Sequence, residues 1–186
     1  MGMVELFLVA VGLSMDAFSV SVCGSLALRP AFRLREALRF GAWFGGFQFL
    51  MPVLGYWAAY QARSYIEQFD HWIAFFLLLY IGVTMIREAG QECPVGMESY
   101  SFSRMALLAL ATSIDALAVG VSFALLAINI WSSALLIGAV TFSFSFLGGL
   151  LGFKLGESAG SYASKTGGLI LCLIGCKILL EHTGYL

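Results

Sequence analysis

Two short segments of the chain, each centred on an aspartate in a long apolar run, are nearly identical. Residues 14–20 read SMDAFSV and residues 113–119 read SIDALAV, so Asp16 and Asp115 lie 99 positions apart. A charged side chain in the middle of a membrane helix costs about 2.5–3.5 kcal/mol on insertion scales. Two aspartates at matched positions therefore indicate a shared function. For carboxylates inside a bilayer, that function is binding a cation or carrying protons.

Hydroxyl groups accompany both aspartates in the sequence. Ser14 and Ser113 precede them by two residues, and Thr112 lies about one turn before Asp115. Residues two positions apart point in different directions on an ideal helix, so Ser14 and Asp16 could hold one ion together only where the helix opens. Carboxylate and hydroxyl oxygens suit Mg²⁺, Ca²⁺ and Mn²⁺. We therefore predict that these five residues line a site for a divalent cation.

The following apolar segment offers a further oxygen donor. Pro52 follows Gln48 by four residues and removes a backbone donor, which frees the Gln48 carbonyl while its amide side chain presents a second oxygen. The corresponding positions of the second half are Ser145 and Gly149. Weakened helices at matched positions are typical of transporter sites. We predict that Gln48 and Ser145 line the site and that their helices are loosened there.

The composition is that of an integral membrane protein. The chain has 186 residues, of which 60% are hydrophobic and 11% are charged, whereas a soluble domain has about 25% charged residues. A bilayer needs about 20 apolar residues per helix. We predict an all-α polytopic bundle that forms one transmembrane domain over 1–186. Its six spans are expected at approximately 3–27, 37–60, 71–87, 104–128, 132–154 and 166–183.

The six spans are predicted to form two repeats, 1–95 and 100–186. Besides the aspartate motifs, Gly41-Ala42 corresponds to Gly138-Ala139, and Ile81-Gly82 corresponds to Ile174-Gly175. Three spans per repeat place the second repeat in the membrane upside down, so we predict inverted repeats with a central site at their interface. Both aspartates are then expected at similar depth.

The arginines predict the orientation in the membrane. The loop after the first span carries Arg29, Arg33, Arg35 and Arg39, whereas its counterpart at 129–131 carries none. The positive-inside rule makes the arginine-rich loop cytoplasmic, which puts both termini outside. We expect the bilayer as the surrounding medium and no nucleic-acid partner, and the oligomeric state is left open.

The two aspartate motifs resemble those of the MntP family of bacterial manganese exporters. Weaker similarities lie at 71–75 and 167–168, and the resemblance covers nearly the whole chain. It implies a six-helix exporter of the inner membrane that lowers cytoplasmic Mn²⁺ and is distantly similar to LysE-type exporters. It also implies that Asp16 and Asp115 serve the ion path. Some members of that family carry glutamate at the position of Gln48.

We hypothesise an alternating-access exporter of Mn²⁺ that exchanges the metal for protons, with Mn²⁺ as substrate and no prosthetic group. An exporter of another divalent cation or of a small solute would share the architecture. A carboxylate-bearing solute would need cationic or amide partners at mid-depth, which the sequence does not offer. An intramembrane aspartate enzyme is a further alternative, because Asp16 and Asp115 could form a catalytic pair; we predict that the protein is not an enzyme.

Overall fold

The computed structural model describes residues 2–27, 34–66, 70–88, 102–155 and 157–182. These residues are helical except at 2, 113 and 126–129, and no strand occurs among them. The helices are α1 (Met3–Ala27), α2 (Leu34–Ile66), α3 (Asp70–Glu88), α4 (Phe102–Thr112), α5 (Ile114–Leu125), α6 (Ile130–Leu155) and α7 (Glu157–His182). The prediction of an all-α fold is confirmed. Of the arginine-rich loop, residues 28–33 lie outside the described part of the chain.

The helices overlap the predicted spans, with α4 and α5 together forming the fourth; α2 extends to Ile66, beyond the predicted end at 60, and α7 begins at Glu157, before the predicted start at 166. Within the described ranges, three stretches are long and apolar enough to cross a membrane, namely Met3–Leu26, Met105–Leu125 and Ile130–Gly152. Both aspartates lie within such stretches, one in the first and one in the second. The protein is therefore a helical membrane protein, as its composition predicts.

The fourth span differs from the single helix predicted at 104–128, because it is interrupted at Ser113. The backbone of Ser113 has φ −110° and ψ 6°. Its N–H donates to Leu110 O at 3.2 Å, while its hydroxyl donates to Ala109 O at 2.6 Å. The hydroxyl bonds to the carbonyl that an α-helical N–H would use, as Ser21 also does within the continuous helix α1. What differs at Ser113 is the backbone, whose N–H turns to the carbonyl three residues back. The helix stops there and starts again at Ile114.

The loosening predicted at Pro52 and Gly149 is not found. Helix α2 continues through Pro52, and α6 continues through Gly149. Proline weakens a helix by one hydrogen bond, but packing against neighbouring helices can keep the chain helical. Pro52 has such support, since a Cβ added to Gly120 of α5 would lie 2.6 Å from Pro52 Cα. The second span, where we expected a loosened helix at Pro52, is thus continuous, and the interruption lies in the fourth span, at Ser113.

The two halves of the chain interleave. Helix α1 packs mainly against α6 and α7, and α2 packs against α6 and α5, whereas α1 and α2 barely touch. Helix α3 packs against α7. A surface between the halves therefore runs through the middle of the bundle, and both aspartates lie on helices that contribute to it.

Some close helix contacts occur in corresponding pairs. Gly55 of α2 packs against Val121 of α5, and Gly152 of α6 packs against Val22 of α1. The two glycines are 97 positions apart and the two valines are 99 apart, which are the offsets of the sequence repeats. This correspondence supports the inverted repeats, which remain a prediction.

The close contact between Gly120 and Pro52 predicts that adding a methyl group at Gly120 lowers the stability of the protein. Gly120→Ala would press Cβ into the Pro52 backbone, and forcing extra volume into a packed interface costs about 1–3 kcal/mol. We expect a lower melting temperature of the detergent-purified protein, measured by intrinsic fluorescence. Gly46→Ala is the matched control, because a Cβ there meets nothing within 4 Å. Equal melting temperatures for the two variants would contradict this account of the packing.

Candidate functional site

The interruption at Ser113 places Asp115 in the first turn of α5. Its Oδ1 accepts a hydrogen bond of 2.7 Å from the N–H of Ala116. The N-terminus of a helix favours negative charge, because its first N–H groups are not used within the helix. The broken span therefore stabilises a carboxylate that a continuous helix would leave without backbone donors. Oδ2 of Asp115 is buried and has no hydrogen-bond partner.

Asp16 lies on the continuous helix α1, half-buried and close enough to Asp115 for their charges to interact. The structure thus brings together the two aspartates that the sequence singled out. Two carboxylates that approach each other cannot both stay charged at low cost unless a cation or a proton lies between them. The pair can therefore bind a divalent cation or hold protons.

Gln48 of α2 connects the two aspartate-bearing spans. Its Nε2 donates to Thr112 O at 3.1 Å and to Leu13 O at 3.4 Å. Leu13 and Thr112 are 99 positions apart, so the amide bonds the corresponding carbonyl of each motif. Since carbonyl oxygens only accept, the amide nitrogen must face them. Oε1 therefore points elsewhere, and it is buried without a hydrogen-bond partner, while the side chain lies beside the Asp115 carboxylate.

The hydroxyls beside the aspartates bond back to their own helices. Ser14 Oγ donates to Val11 O at 2.8 Å, Thr112 Oγ1 donates to Leu108 O at 3.0 Å, and Ser113 Oγ donates to Ala109 O. Each keeps lone pairs that could contact a cation. Helix α1 does not open at Ser14, so the condition under which Ser14 and Asp16 could share an ion is not met. The break lies in the other repeat.

Ser145 of α6 lies at the depth of the aspartates. Helices α1 and α6 run in the same direction, because Gly148 packs against Phe18 and Gly152 packs against Val22. One turn before Gly148, Ser145 is therefore level with about Met15. Its Oγ is buried and has no hydrogen-bond partner. The contacts with α1 thus place Ser145 near the level of Asp16, whereas the contact of Phe142 with Gly41 places it about one turn beyond Gly41 and away from Gln48 on α2.

One residue with the same properties was missed by the sequence reasoning. Thr141 is fully buried, and its Oγ1 has no hydrogen-bond partner. The available signal was its position one turn before Ser145 on the same face of α6. In the described part of the chain, four buried side-chain oxygens lack a partner: Gln48 Oε1, Asp115 Oδ2, Thr141 Oγ1 and Ser145 Oγ.

Apolar residues close the bundle on both sides of the acidic pair. The side on which α2 and α4 begin is filled by a cluster that we call the Phe40–Phe44 cluster; its members are Ala17, Phe40, Phe44, Met105 and Ala109. The two phenylalanine rings stack with centroids 6.1 Å apart. The opposite side is filled by a larger core that includes Leu6, Val9, Phe123, Ile130 and Ile137. Apolar clusters thus lie on both sides of the pair, while Asp16 and Asp115 themselves are half-buried.

The donor set is made of oxygen. Among the described residues, no group of three or more His, Cys, Asp or Glu side chains could hold a metal ion. What the site offers is two carboxylates, an amide oxygen and a hydroxyl oxygen. Hard divalent cations prefer such donors, whereas zinc and copper favour thiolate and imidazole. Two carboxylates also match the charge of one divalent cation.

Comparison with known proteins agrees with this geometry. Residues 31–179 match the family described as Mntp, "Putative manganese efflux pump". The chain belongs to this family. A relative of the same name from Desulfitobacterium hafniense is 49% identical over 186 residues, covering 100% of this chain and 98% of the relative. Family and relatives are named as transporters, so the expectation that the protein is not an enzyme is confirmed.

Further relatives carry the same name. The protein from Mannheimia succiniciproducens is 45% identical over 189 residues, covering 98% of each chain. The protein from Methanosarcina mazei is 45% identical over 181 residues, covering 97% of each chain. No solved structure matches the chain.

The bridge made by Gln48 predicts that this side chain stabilises the fold. Gln48→Leu would keep a similar volume but remove the donor shared by Leu13 O and Thr112 O. Loss of hydrogen bonds to buried carbonyls costs about 1–3 kcal/mol, so we expect a lower melting temperature in detergent. Gln61→Leu makes the same change at an exposed position of the same helix and should have little effect. A stable Gln48→Leu protein would show that the bridge is dispensable.

Proposed function

We propose that the protein exports Mn²⁺ across the membrane, with the ion held between Asp16 and Asp115. Oε1 of Gln48 is the third ligand, and Ser145 contributes its hydroxyl oxygen from α6. Ser14, Thr112 and Ser113 provide hydroxyl and backbone oxygens around them. The observation that supports the proposal is the proximity of Asp16 and Asp115, which lie on different spans, with apolar clusters on either side, in a member of a manganese efflux family.

Alternating access fits the two apolar closures. A transporter must expose its site to one membrane face at a time, by movement of one helix group against another. When the site opens toward one membrane face, the residues of the Phe40–Phe44 cluster would move apart. When it opens toward the other face, the core around Val9, Phe123 and Ile137 would move apart instead. The break at Ser113 supplies a place where the fourth span can bend without losing further backbone hydrogen bonds.

Proton exchange would solve an energetic problem of export. Moving a charge of +2 outward against an inside-negative potential of 100 mV costs about 4.6 kcal/mol, twice the cost per unit charge. Returning two protons for each ion makes the cycle electrically neutral. Two adjacent carboxylates suit this exchange, since they bind either one divalent cation or protons.

The alternatives differ in what the site must offer. Another divalent cation would use the same oxygen donors, so the ligand types alone do not select Mn²⁺ over Mg²⁺ or Ca²⁺. Transport of Mn²⁺ in competition with Mg²⁺ and Ca²⁺ distinguishes these substrates. A carboxylate-bearing solute would need a cationic partner near mid-depth. Among the described charged side chains outside the aspartate pair, Glu36 and Arg39 lie at the start of α2 and pair with each other, and Lys165 is exposed.

The inner membrane is the proposed location, with both termini outside. The four arginines that follow α1, compared with none at 129–131, support this orientation through the positive-inside rule. The side on which α2 and α4 begin would then be cytoplasmic, and the Phe40–Phe44 cluster would close the site toward the cytoplasm.

Manganese sensitivity in cells tests the ion path. In a bacterial strain without its own exporter, the unsubstituted chain should restore growth in high Mn²⁺, whereas Asp16→Ala and Asp115→Ala should not, because each removes a charged ligand. Glu36→Ala is the control, since it removes a carboxylate that pairs with Arg39 away from the site. Expression levels are compared by immunoblot. Full protection by both aspartate variants would refute the assignment.

Coupling to protons has its own test. In vesicles with Mn²⁺ inside and an imposed pH gradient, the unsubstituted protein should move Mn²⁺ faster than without the gradient. Asp115→Asn cannot release a proton and should lose that acceleration. Flux is followed with a Mn²⁺-quenched dye in the outer compartment. If Asp115→Asn still responds fully to the pH gradient, Asp115 is not the proton carrier.

A further inference from the structure

The two halves of the fourth span are held in the bundle to different extents. Among the side chains of α4 that the structure describes, from Met105 to Thr112, only Met105 and Ala109 are buried. Helix α5, in contrast, buries seven of its twelve residues. Its backbone also touches that of α2, at Gly55 and at Gly120. Helix α5 is therefore fixed on α2, whereas α4 is held along one narrow stripe.

The break at Ser113 leaves few backbone bonds between these two helices. In a continuous helix, Thr112 O would accept from the N–H of Ala116, four residues later. That N–H donates to Asp115 Oδ1 instead, and Thr112 O accepts from Nε2 of Gln48 at 3.1 Å. The backbone hydrogen bonds described across the break all involve Ser113 itself. Helix α4 can therefore rotate about Ser113 while α5 stays in place.

Helix α4 also closes the site on one side. Met105 and Ala109 belong to the Phe40–Phe44 cluster. Both precede Thr112 on α4, as the two phenylalanines precede Gln48 on α2, and the hydrogen bond between Gln48 and Thr112 makes these two positions neighbours. The cluster therefore lies between the acidic pair and the side on which α2 and α4 begin. A rotation of α4 away from α2 would remove two of its five members and open the site to that side.

The amide of Gln48 lies between the ion site and α4. Its Nε2 donates to Leu13 O and Thr112 O. Oε1, at the other end of the same planar group, is buried without a partner, and the side chain lies beside the Asp115 carboxylate. A cation attracts Oε1 and repels the N–H groups. A carboxylate without a cation attracts the N–H groups instead, because hydrogen bonds to charged acceptors are about twice as strong as those between neutral groups.

We propose that Gln48, besides offering Oε1 to the ion, positions α4 according to whether the ion is bound. This rests on the proposed export function. With a divalent cation bound, Oε1 faces the ion, Nε2 holds Thr112 O, and α4 stays in the Phe40–Phe44 cluster. Without the cation, the amide turns to the Asp115 carboxylate and releases Thr112 O, so α4 rotates away from α2 about Ser113. The empty protein then opens toward the side on which α2 and α4 begin, which is the side of ion uptake in the proposed orientation.

Hydrogen exchange of the backbone amides reports on α4. For the purified chain in lipid nanodiscs, we expect the amides of α4 to exchange faster than those of α5, because α4 can leave the bundle locally. Saturating Mn²⁺ should slow exchange in α4 about five-fold, the effect of one neutral hydrogen bond on an equilibrium, and should leave α5 almost unchanged. Mn²⁺ binding is measured in parallel by calorimetry.

Gln48→Glu separates this coupling from metal binding. The variant keeps an oxygen that can bind the ion, but a carboxylate has no N–H to donate to Thr112 O. We expect it to bind Mn²⁺ at least as tightly as the unsubstituted chain, while Mn²⁺ no longer slows exchange in α4. Gln61→Glu makes the same change at an exposed position of α2 and should keep the five-fold effect. A merely structural role of Gln48 would change exchange equally with and without Mn²⁺.

Thiol labelling gives a second measurement that keeps Gln48 in place. A membrane-impermeant reagent should modify Ala109→Cys from the face that also reaches Arg39→Cys, and Mn²⁺ should slow this reaction about five-fold, for the same reason as the exchange. Val119→Cys, in the buried part of α5, should stay unmodified with and without Mn²⁺. Labelling is counted above that of the unsubstituted chain, which has four cysteines of its own.

The results distinguish the coupling from the function on which it rests. If Mn²⁺ neither binds nor crosses the membrane, the export function is wrong and the coupling falls with it. If Mn²⁺ binds and is transported but exchange in α4 does not respond, or responds equally in Gln48→Glu, only the coupling is wrong. Labelling of Ala109→Cys that Mn²⁺ does not slow would overturn it as well, and this measurement decides if Gln48→Glu does not fold.

Discussion

The carboxylate of Asp115, whose Oδ2 is buried without a hydrogen-bond partner, is the constraint on which the rest of the site depends. A charge in the bilayer interior has no water to solvate it, so the protein must supply every favourable contact. The chain does so by interrupting the fourth span just before Asp115, which gives the carboxylate a helix N-terminus and the N–H of Ala116. Asp16 and Gln48 then lie beside it. These groups offer more acceptor oxygens than donors, and a bound divalent cation would balance them.

Gln48 connects this local chemistry to the whole bundle. By donating to a carbonyl of α1 and to a carbonyl of α4, it keeps the two aspartate motifs in register at the surface between the halves. A glutamate at this position, as the family resemblance implies for some members, could donate to only one of the two carbonyls, and only when protonated. Its amide form makes the bridge independent of pH and leaves charge balance to the two aspartates.

The sequence predicted the elements and the acidic pair well, because both follow from hydrophobicity. Six apolar runs in a chain with few charges allow few folds other than a helical bundle, and an aspartate in such a run stands out. The helix break was beyond sequence reasoning. Ser14 and Ser113 occupy matched positions in nearly identical motifs, yet α1 is continuous and the fourth span is not. The side-chain bonds alone do not separate the two cases: Ser113 reaches Ala109 O, four residues back, but Ser21 reaches Ala17 O in the same way within the continuous helix α1.

The prediction at Pro52 failed for a related reason. Proline weakens an isolated helix, but the effect in a bundle depends on what packs against it, and here Gly120 brings α5 directly onto the Pro52 backbone. Thr141 went unnoticed because a lone threonine in an apolar helix usually bonds to its own backbone. Only the coordinates distinguish a bonded hydroxyl from an unpaired one.

The interleaving of the halves also determines how the protein can be assembled. Helix α1 precedes its main neighbours, α6 and α7, by more than 100 residues, and Glu5 of α1 pairs with Lys177 of α7. During synthesis, Asp16 is therefore made long before the helices that enclose it. Among the described residues, α1 gains most of its helix contacts only once the second half of the chain is in place.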